Sequence, residues 1–480
     1  MPPMSSTSLW SSNRFSQKSP RESQDVRTPY EQDYDRLLFS TPVRRLADKT
    51  QVFPLERNDS VRTRLTHSHE VSNLARSMGT RLIRTCPGIF GDSEQIIGAA
   101  PIILATVGLA HDLGNPPFGH QGEVAISRWF DDHTDLFSKI SEGDGIALSA
   151  GCAVPEAHRS DFTKFEGNAQ ALRLVSRLQN TVGDAGLDLT AATLAALMKY
   201  PVASNDRRKS HAATKKHGYC ASEQDVVDWV RSETGLQTGQ RHPLTWIMEA
   251  SDDIAYSVLD IEDTIKKGLV SAEDALAYLR REFSNDGYLG GLINTVERDF
   301  ERADEDSKFS LSRVREIKAS YLRTRVIERL ISGATEQYQK DRDSIFQHKR
   351  EKALLDCGTV ESKLCDALKR FARVHAYQSV GVLELELKGS IVISTLMDAM
   401  WSGISERQSF EDLSSSRRTP RAAYVYSLIS DSYRWHFERT ASQDLPVRYR
   451  ELQLLADMVS GMTDGFALDL YERIQQNAIV

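Results

Sequence analysis

The chain has 480 residues, 40% of them hydrophobic and 26% charged, with a net charge of −7 and a pI near 6.0. That length can bury a sizeable core, and the acidic balance excludes attachment to nucleic acid by overall charge, so anionic ligands must be met by local basic groups. Cysteines at 86, 152, 220, 357 and 365, with no CxxC pair, exclude a disulfide framework or zinc knuckle. No apolar run approaches the roughly 20 residues that span a bilayer and no signal-peptide core is present, so a soluble cytoplasmic protein without membrane contact is expected.

Residues 1–28 are rich in Ser, Pro and Arg and lack apolar periodicity, which predicts a flexible N-terminal arm. Patterning begins at Tyr34 and runs to Leu55, where Pro54 marks a turn. In RTRLTHSHEVSNLARSMGTRLI, Val71, Leu74, Met78 and Leu82 recur at helical spacing, and stepping back four from Val71 places His67 on the buried face. His69 lies off that stripe.

Residues 102–109 (IILATVGL) suit a buried helix, and His111-Asp112 follow at its end. The chain breaks at Gly114-Asn115-Pro116-Pro117 and restarts with His120 and Glu123 at helical spacing. Residues 131–165, Gly- and Asp-rich, read as an insertion or lid. Helical patterning resumes at Phe165 and again over Leu189–Met198, which Pro201 ends. A basic loop, DRRKSHAATKKHGY, follows. In the next helix Met248, Asp252, Ala255 and Leu259 share one face, whereas Asp253 sits with Glu249 and Asp260 on a side expected to be more polar; Tyr256 stands one turn beyond Asp252.

From Ser271 onward the pattern is amphipathic helix, with strand-like alternation scarce and no internal repeat. The predicted fold is all-α: a catalytic core over 29–275 and a helical C-terminal region over 276–480 that completes the site and the oligomer contacts.

His67, His111, Asp112 and Asp252 supply two imidazoles and two carboxylates, a set for a divalent ion with open positions. Mg²⁺ or Mn²⁺ suits the carboxylates, Mn²⁺ or Fe²⁺ the imidazoles. Such an ion acidifies bound water and polarises a phosphoryl oxygen, the needs of phosphoester hydrolysis. His120 and Glu123 fit a proton donor and the group that orients it.

RTRLTHSHEV, AHDLGNPPFGHQGE, FEGNAQALRL, MKYP and MEASDDIAYSVLDIEDTI, in this order, resemble the deoxyguanosine triphosphate triphosphohydrolase branch of the HD-domain phosphohydrolases. The chain's ends, DYDRLLFSTPVRRLADKTQVFPLE and DMVSGMTDGFALDLY, resemble it as well. The resemblance implies an HD-domain helical core and hydrolysis of a dNTP, dGTP favoured, at the α-phosphorus to deoxynucleoside and tripolyphosphate. It makes His67, His111, Asp112 and Asp252 the metal ligands and His120 with Glu123 the catalytic pair. It places Arg64 on the α-phosphate, Asn168, Lys199 and Tyr200 around the triphosphate, Tyr256 on the deoxyribose and Gln51 near the base. Lys216 and Tyr219 lie in a segment similar to the family's KxGYF, with Cys220 in place of Phe, and His69 stands where relatives often carry an apolar residue.

A homo-oligomer, commonly a hexamer, is also implied, with Arg417, Arg418 and Arg434 as candidates to reach a neighbour's site. Single-stranded DNA is a candidate effector. Two other readings stay open on the residues alone: a phosphohydrolase of nucleoside monophosphates or cyclic dinucleotides, and a nucleic-acid-binding regulatory module with a vestigial site.

Overall fold

The computed structural model describes residues 8–16, 25–55, 58–139, 147–149, 151–179, 185–305, 308–439 and 445–476. The all-α expectation holds: among these residues, strand-type pairing is confined to isolated bridges. The principal helices are α1 (Pro29–Leu38), α2 (Arg64–Thr85), α3 (Glu94–Ala110), α4 (Gly119–Asp132), α5 (Glu156–Thr163), α6 (Gly167–Arg173), α7 (Ala191–Leu197) and α8 (Gln224–Thr234). They continue with α9 (Pro243–Lys266), α10 (Ala272–Glu282), α11 (Gly287–Glu305), α12 (Leu311–Lys340), α13 (Val360–Ala372), α14 (Val380–Ser405), α15 (Val447–Ser460) and α16 (Asp464–Gln476). None of the helices is long and apolar enough, among the described residues, to cross a membrane.

The chain divides into two compact units, both discontinuous in sequence: Met1–Thr50 with Leu109–His242 and Glu386–Val480, and Gln51–Gly108 with Pro243–Leu385. Neither unit has a boundary at 275/276. The physical reason is packing: α12 and α13, downstream of that point, lie against α9 in the second unit.

That second unit is built round α9, which also packs on α2. Val71 of α2 meets Ala255 and Leu259 of α9, with Leu74 and Ile327 closing over them; the fully buried Val71 and Leu259 each contribute about 1.5–3 kcal/mol by leaving water. Close approach of α3 to α2 depends on Gly108, where a Cβ would stand 2.7 Å from Ser72 Cα.

The first unit has a charged centre. Arg173 Nη2 reaches Asp457 at 2.7 Å and its Nη1 reaches Glu223 at 2.8 Å, all three side chains being buried. Taken out of water, each charge depends on the others, so removing one would strand the rest.

The N-terminal arm departs from expectation between residues 8 and 16. Leu9 and Trp10 are buried, the Trp10 carbonyl accepts from the Tyr30 hydroxyl, and Arg14 pairs with Asp33 at 2.7 Å. Backbone hydrogen bonds from Ala191 N and Ala192 N to the Asn13 and Ser11 carbonyls hold the segment further, and none of these contacts has a period. Residues 1–7 and 17–24 of the predicted arm lie outside the described residues, as do 140–146 and 150 of the predicted lid. The described remainder of 131–165 is packed, with Phe137 and Phe162 buried and tilted against one another at 6.1 Å.

Candidate active site

In the unit built round α9, the start of α2 is fixed by a capping box in which Thr63 accepts from Thr66 N and the Thr66 side chain answers at the Thr63 backbone. His67 falls one turn inside, on the face of Val71, and is 1% exposed. Asp252 lies three residues before Ala255 on α9, so the Val71–Ala255 contact also draws the two polar groups together. His67 Nε2 stands 3.5 Å from Asp252 Oδ1. That is long for a strong hydrogen bond and suits two donors each about 2.1 Å from one shared ion.

Asp253 points elsewhere, to the Lys369 ammonium at 2.6 Å. Burial works against the charge on Lys369, but Asp253 outweighs it and the pKa rises. The side expected to be polar is itself buried: Glu249 and Asp260 are enclosed, because α13 covers α9 there. Burial pushes the Asp260 carboxyl well above its usual range, and a hydrogen bond from the Tyr377 hydroxyl opposes the rise. The Tyr377 ring stacks on Tyr256 with centroids 5.8 Å apart. Gln51 is half-buried beside Val52 and Phe53, which pack with Val61, Ala376 and Tyr377; its Oε1 is buried without a hydrogen-bond partner among the described residues. Arg64 is buried at the first position of α2, while Arg62 clamps Glu70, Glu262 and Asp263 at 2.5–2.7 Å and is structural.

In the other unit, His111 Nε2 stands 3.6 Å from Asp112 Oδ1, the same donor spacing. Asn115 Nδ2 donates to that carboxylate oxygen at 2.7 Å, orienting it. The loop beyond is immobilised from several directions. Lys49 Nζ donates to the Asn115 carbonyl at 2.6 Å and to Ser460 O at 2.8 Å, and Asp464 accepts from Phe118 N at 3.0 Å. Phe118 has a left-handed backbone, φ 60°, at the start of α4. Gly114 admits α6 against the loop, since a Cβ there would lie 2.1 Å from Gly167 O.

On α4, His120 Nδ1 is 3.0 Å from Glu123 Oε2, and Glu123 Oε1 accepts from Gly167 N at 2.8 Å. The Glu123 hydrogen bond raises the His120 pKa against the opposing effect of burial. The His120 side chain is 76% exposed, so its far edge is open to a ligand. Beside this pair, Glu166 accepts from Asn168 Nδ2 at 2.6 Å and meets Lys216 Nζ at 2.8 Å. Burial and then the nearby Glu123 raise the Glu166 carboxyl. Lys199 and Tyr200 are pinned by Arg241, whose Nε donates to the Lys199 carbonyl at 2.7 Å and whose guanidinium lies over the Tyr200 ring at 5.6 Å.

Lys49, Glu166, Arg241, Lys369, Tyr377 and Asp464 escaped the sequence reading. Arg417, Arg418 and Arg434, the candidates for a neighbour's site, are engaged by their own chain: Arg417 with Gly403 O at 2.8 Å, Arg418 with Arg407 O at 2.9 Å, and Arg434 with Asp431.

Residues 64–197 match the HD domain family, a span that opens at Arg64 and encloses His67, His111, Asp112, His120 and Glu123 but stops short of Asp252. Along nearly its whole length the chain is 33% identical, over 496 residues, to a deoxyguanosinetriphosphate triphosphohydrolase of Klebsiella pneumoniae, covering 94% of each chain. The chain belongs to the deoxyguanosine triphosphate triphosphohydrolase family of HD-domain phosphohydrolases. A family member from Listeria monocytogenes, named deoxyguanosinetriphosphate triphosphohydrolase-like protein, is 35% identical over 456 residues, 94% of each chain. Another, the triphosphohydrolase of Yersinia enterocolitica, is 30% identical over 497 residues, 95% of each.

Proposed function

We propose that this protein is a divalent-metal-dependent dNTP triphosphohydrolase that favours dGTP and releases deoxynucleoside and tripolyphosphate. The observation that carries the reading is the repeated donor spacing, 3.5 Å for His67–Asp252 and 3.6 Å for His111–Asp112. His111 follows directly from α3, the helix seated on α2 through Gly108 and Ser72, and α2 carries His67. The four donors would hold one Mg²⁺, Mn²⁺ or Fe²⁺, which when bound acidifies a water and offsets charge on the α-phosphoryl oxygens.

The chain's own groups do the rest. Asn115 keeps the Asp112 carboxylate turned to its task. Water adds to the α-phosphorus and the bond to the sugar O5′ breaks, so the leaving oxygen needs a proton. His120 supplies it from Nε2, because Nδ1 is committed to Glu123. Arg64 would grip the α-phosphate with its guanidinium fork, and Lys199, Tyr200 and Asn168 would line the rest of the triphosphate. Tyr256, backed by Tyr377, would fill the space a 2′-hydroxyl needs. The unpartnered Gln51 Oε1 is an acceptor suited to a guanine N–H. Exposed Arg208, Lys209 and Lys215 give the adjoining loop the charge to meet single-stranded DNA as an effector.

The test is incubation with Mn²⁺ or Mg²⁺ and each of the four dNTPs and GTP, resolving products by anion exchange, with Asp112→Ala as the blank. Deoxyguanosine and tripolyphosphate from dGTP, with none from GTP or from the variant, is the expected outcome. Release of orthophosphate instead would refute the reading.

A further inference from the structure

The segment at residues 8–16 is joined to Lys199 and Tyr200 through two consecutive residues, Arg241 and His242, and all of these lie in the first unit. The Leu9 carbonyl is 3.1 Å from His242 Nε2; a carbonyl can only accept, so Nε2 carries the hydrogen and donates. The Trp10 ring meets the His242 ring edge to face, with centroids 5.4 Å apart and planes at 87°, a favoured geometry for such a pair. Leu9, Trp10 and His242 are all buried. Arg241, also buried, holds three points at once. Its Nε donates to the Lys199 carbonyl at 2.7 Å, its Nη2 donates to the Ala212 carbonyl in the basic loop at 2.8 Å, and its guanidinium lies over the Tyr200 ring. Close-packed interiors transmit displacement, so a shift of His242 is passed to Arg241 and on to Lys199 and Tyr200.

The segment is seated firmly enough to serve as a support. Its carbonyls at Asn13 and Ser11 accept from Ala191 N and Ala192 N at 3.0 and 3.1 Å, at the start of α7, and α7 ends at Leu197, two residues before Lys199. Ser11 Oγ and Asn13 Nδ2 both donate to Glu233 of α8, at 3.0 and 2.7 Å. The stretch that carries Lys199 and Tyr200 is thus met at its start through α7 and at its end through Arg241. We propose that Leu9 and Trp10, acting through His242 and Arg241, are positioning residues for Lys199 and Tyr200 and thereby set the affinity of the site for the triphosphate of its substrate. The role rests on the proposed place of Lys199 and Tyr200 at that triphosphate.

Steady-state kinetics of the full-length protein with dGTP at fixed free Mn²⁺ test it, with tripolyphosphate and deoxyguanosine as inhibitors. His242→Phe keeps a ring against Trp10 but leaves the Leu9 carbonyl without that donor, and Trp10→Ala removes the ring contact. Each should raise KM for dGTP and weaken inhibition by tripolyphosphate about tenfold, with kcat within about twofold of wild type. Inhibition by deoxyguanosine should not move. His242→Gln can still donate to Leu9 and should recover most of the KM. Because the effect runs through Arg241, adding Trp10→Ala to Arg241→Gln should raise KM no further than Arg241→Gln alone. A segment that only stabilises the fold would lower the melting temperature of these variants and leave KM and both inhibition constants as in wild type. That result, or a further rise of KM in the double variant, overturns the positioning role and leaves the activity standing. Should Trp10→Ala fail to fold, the two His242 variants still decide, since equal KM values in them overturn the role. Wild type that leaves dGTP intact overturns the triphosphohydrolase activity itself and the positioning role with it.

Discussion

Replacing Gly108 with alanine separates the stability of the helix pair from its role in spacing the proposed ligands. The new Cβ would fall 2.7 Å from Ser72 Cα, 2.9 Å from Ser72 N and 3.2 Å from Val71 C. All three are backbone atoms of α2, so no rotamer change relieves the contact. Carbon–carbon contact is unstrained only from about 3.5 Å, which requires α2 and α3 to part by roughly 0.8 Å. Overpacking of this kind costs about 1–3 kcal/mol, whereas a metal site tolerates about 0.2 Å in its ligand distances. His67 lies four residues before Val71 and His111 three after Gly108, so binding should suffer more than folding. Calorimetric titration of Mn²⁺ into metal-stripped protein should show affinity reduced by about 10- to 100-fold, with urea unfolding displaced by the smaller amount. Gly98→Ala, on the same helix with nothing within 4 Å of its Cβ, should leave Mn²⁺ affinity unchanged and stabilise by up to ~1 kcal/mol. A Gly108→Ala protein that binds Mn²⁺ as wild type does would refute the link between this helix contact and ligand spacing.

Four further outcomes are expected. His120→Asn should cut kcat by about 10²–10⁴ with little change in KM. Because the Glu123 hydrogen bond lifts the His120 pKa above 6.5, the imidazolium is fully present below that value and is lost as pH rises through the folded one. Glu123→Gln should therefore bring the alkaline fall of kcat to lower pH, and an unmoved limb would count against the acid role. Tyr377→Phe keeps the ring on Tyr256 but leaves the enclosed Asp260 carboxyl without that donor, an expected cost of about 1–3 kcal/mol in urea unfolding. Gly114→Ala would drive a Cβ to 2.1 Å from Gly167 O and 2.3 Å from Ala171 N; a loss of about 3 kcal/mol, read as a lower melting temperature, should accompany weakened Mn²⁺ binding through Asn115 and Asp112.

Local periodicity made some of the site legible. His67 and Asp252 each sit on a stripe whose apolar members pack, so locating the stripes located a pair that stands 3.5 Å apart. The same reasoning misjudged the opposite side of α9, since it registered the polarity of Glu249 and Asp260 but had no means of knowing that α13 covers them. Tyr377 comes 117 residues after Asp260, and no local pattern joins the two. Lys49 and Asp464 hold the loop after Asp112 from opposite ends of the chain, through contacts of one side chain to one backbone atom that leave no repeating trace. Trp10 and Arg14 were missed for a related reason: a strap of a few residues is anchored by individual partners and needs no period.

The way the chain alternates between its two units has a consequence for its synthesis. Segments of the first unit flank segments of the second, and the last of them runs from Glu386 to Val480. As the polypeptide leaves the ribosome, the unit holding His67 and Asp252 cannot close until residue 385 has emerged, and the other must wait for α16. Non-local closure of this kind is slow and leaves apolar surface uncovered meanwhile, which makes the nascent chain a candidate for chaperone dependence. It also means that no single proteolytic cut can release either unit whole, so inactivation by a protease would be complete at the first cleavage that lets a segment depart.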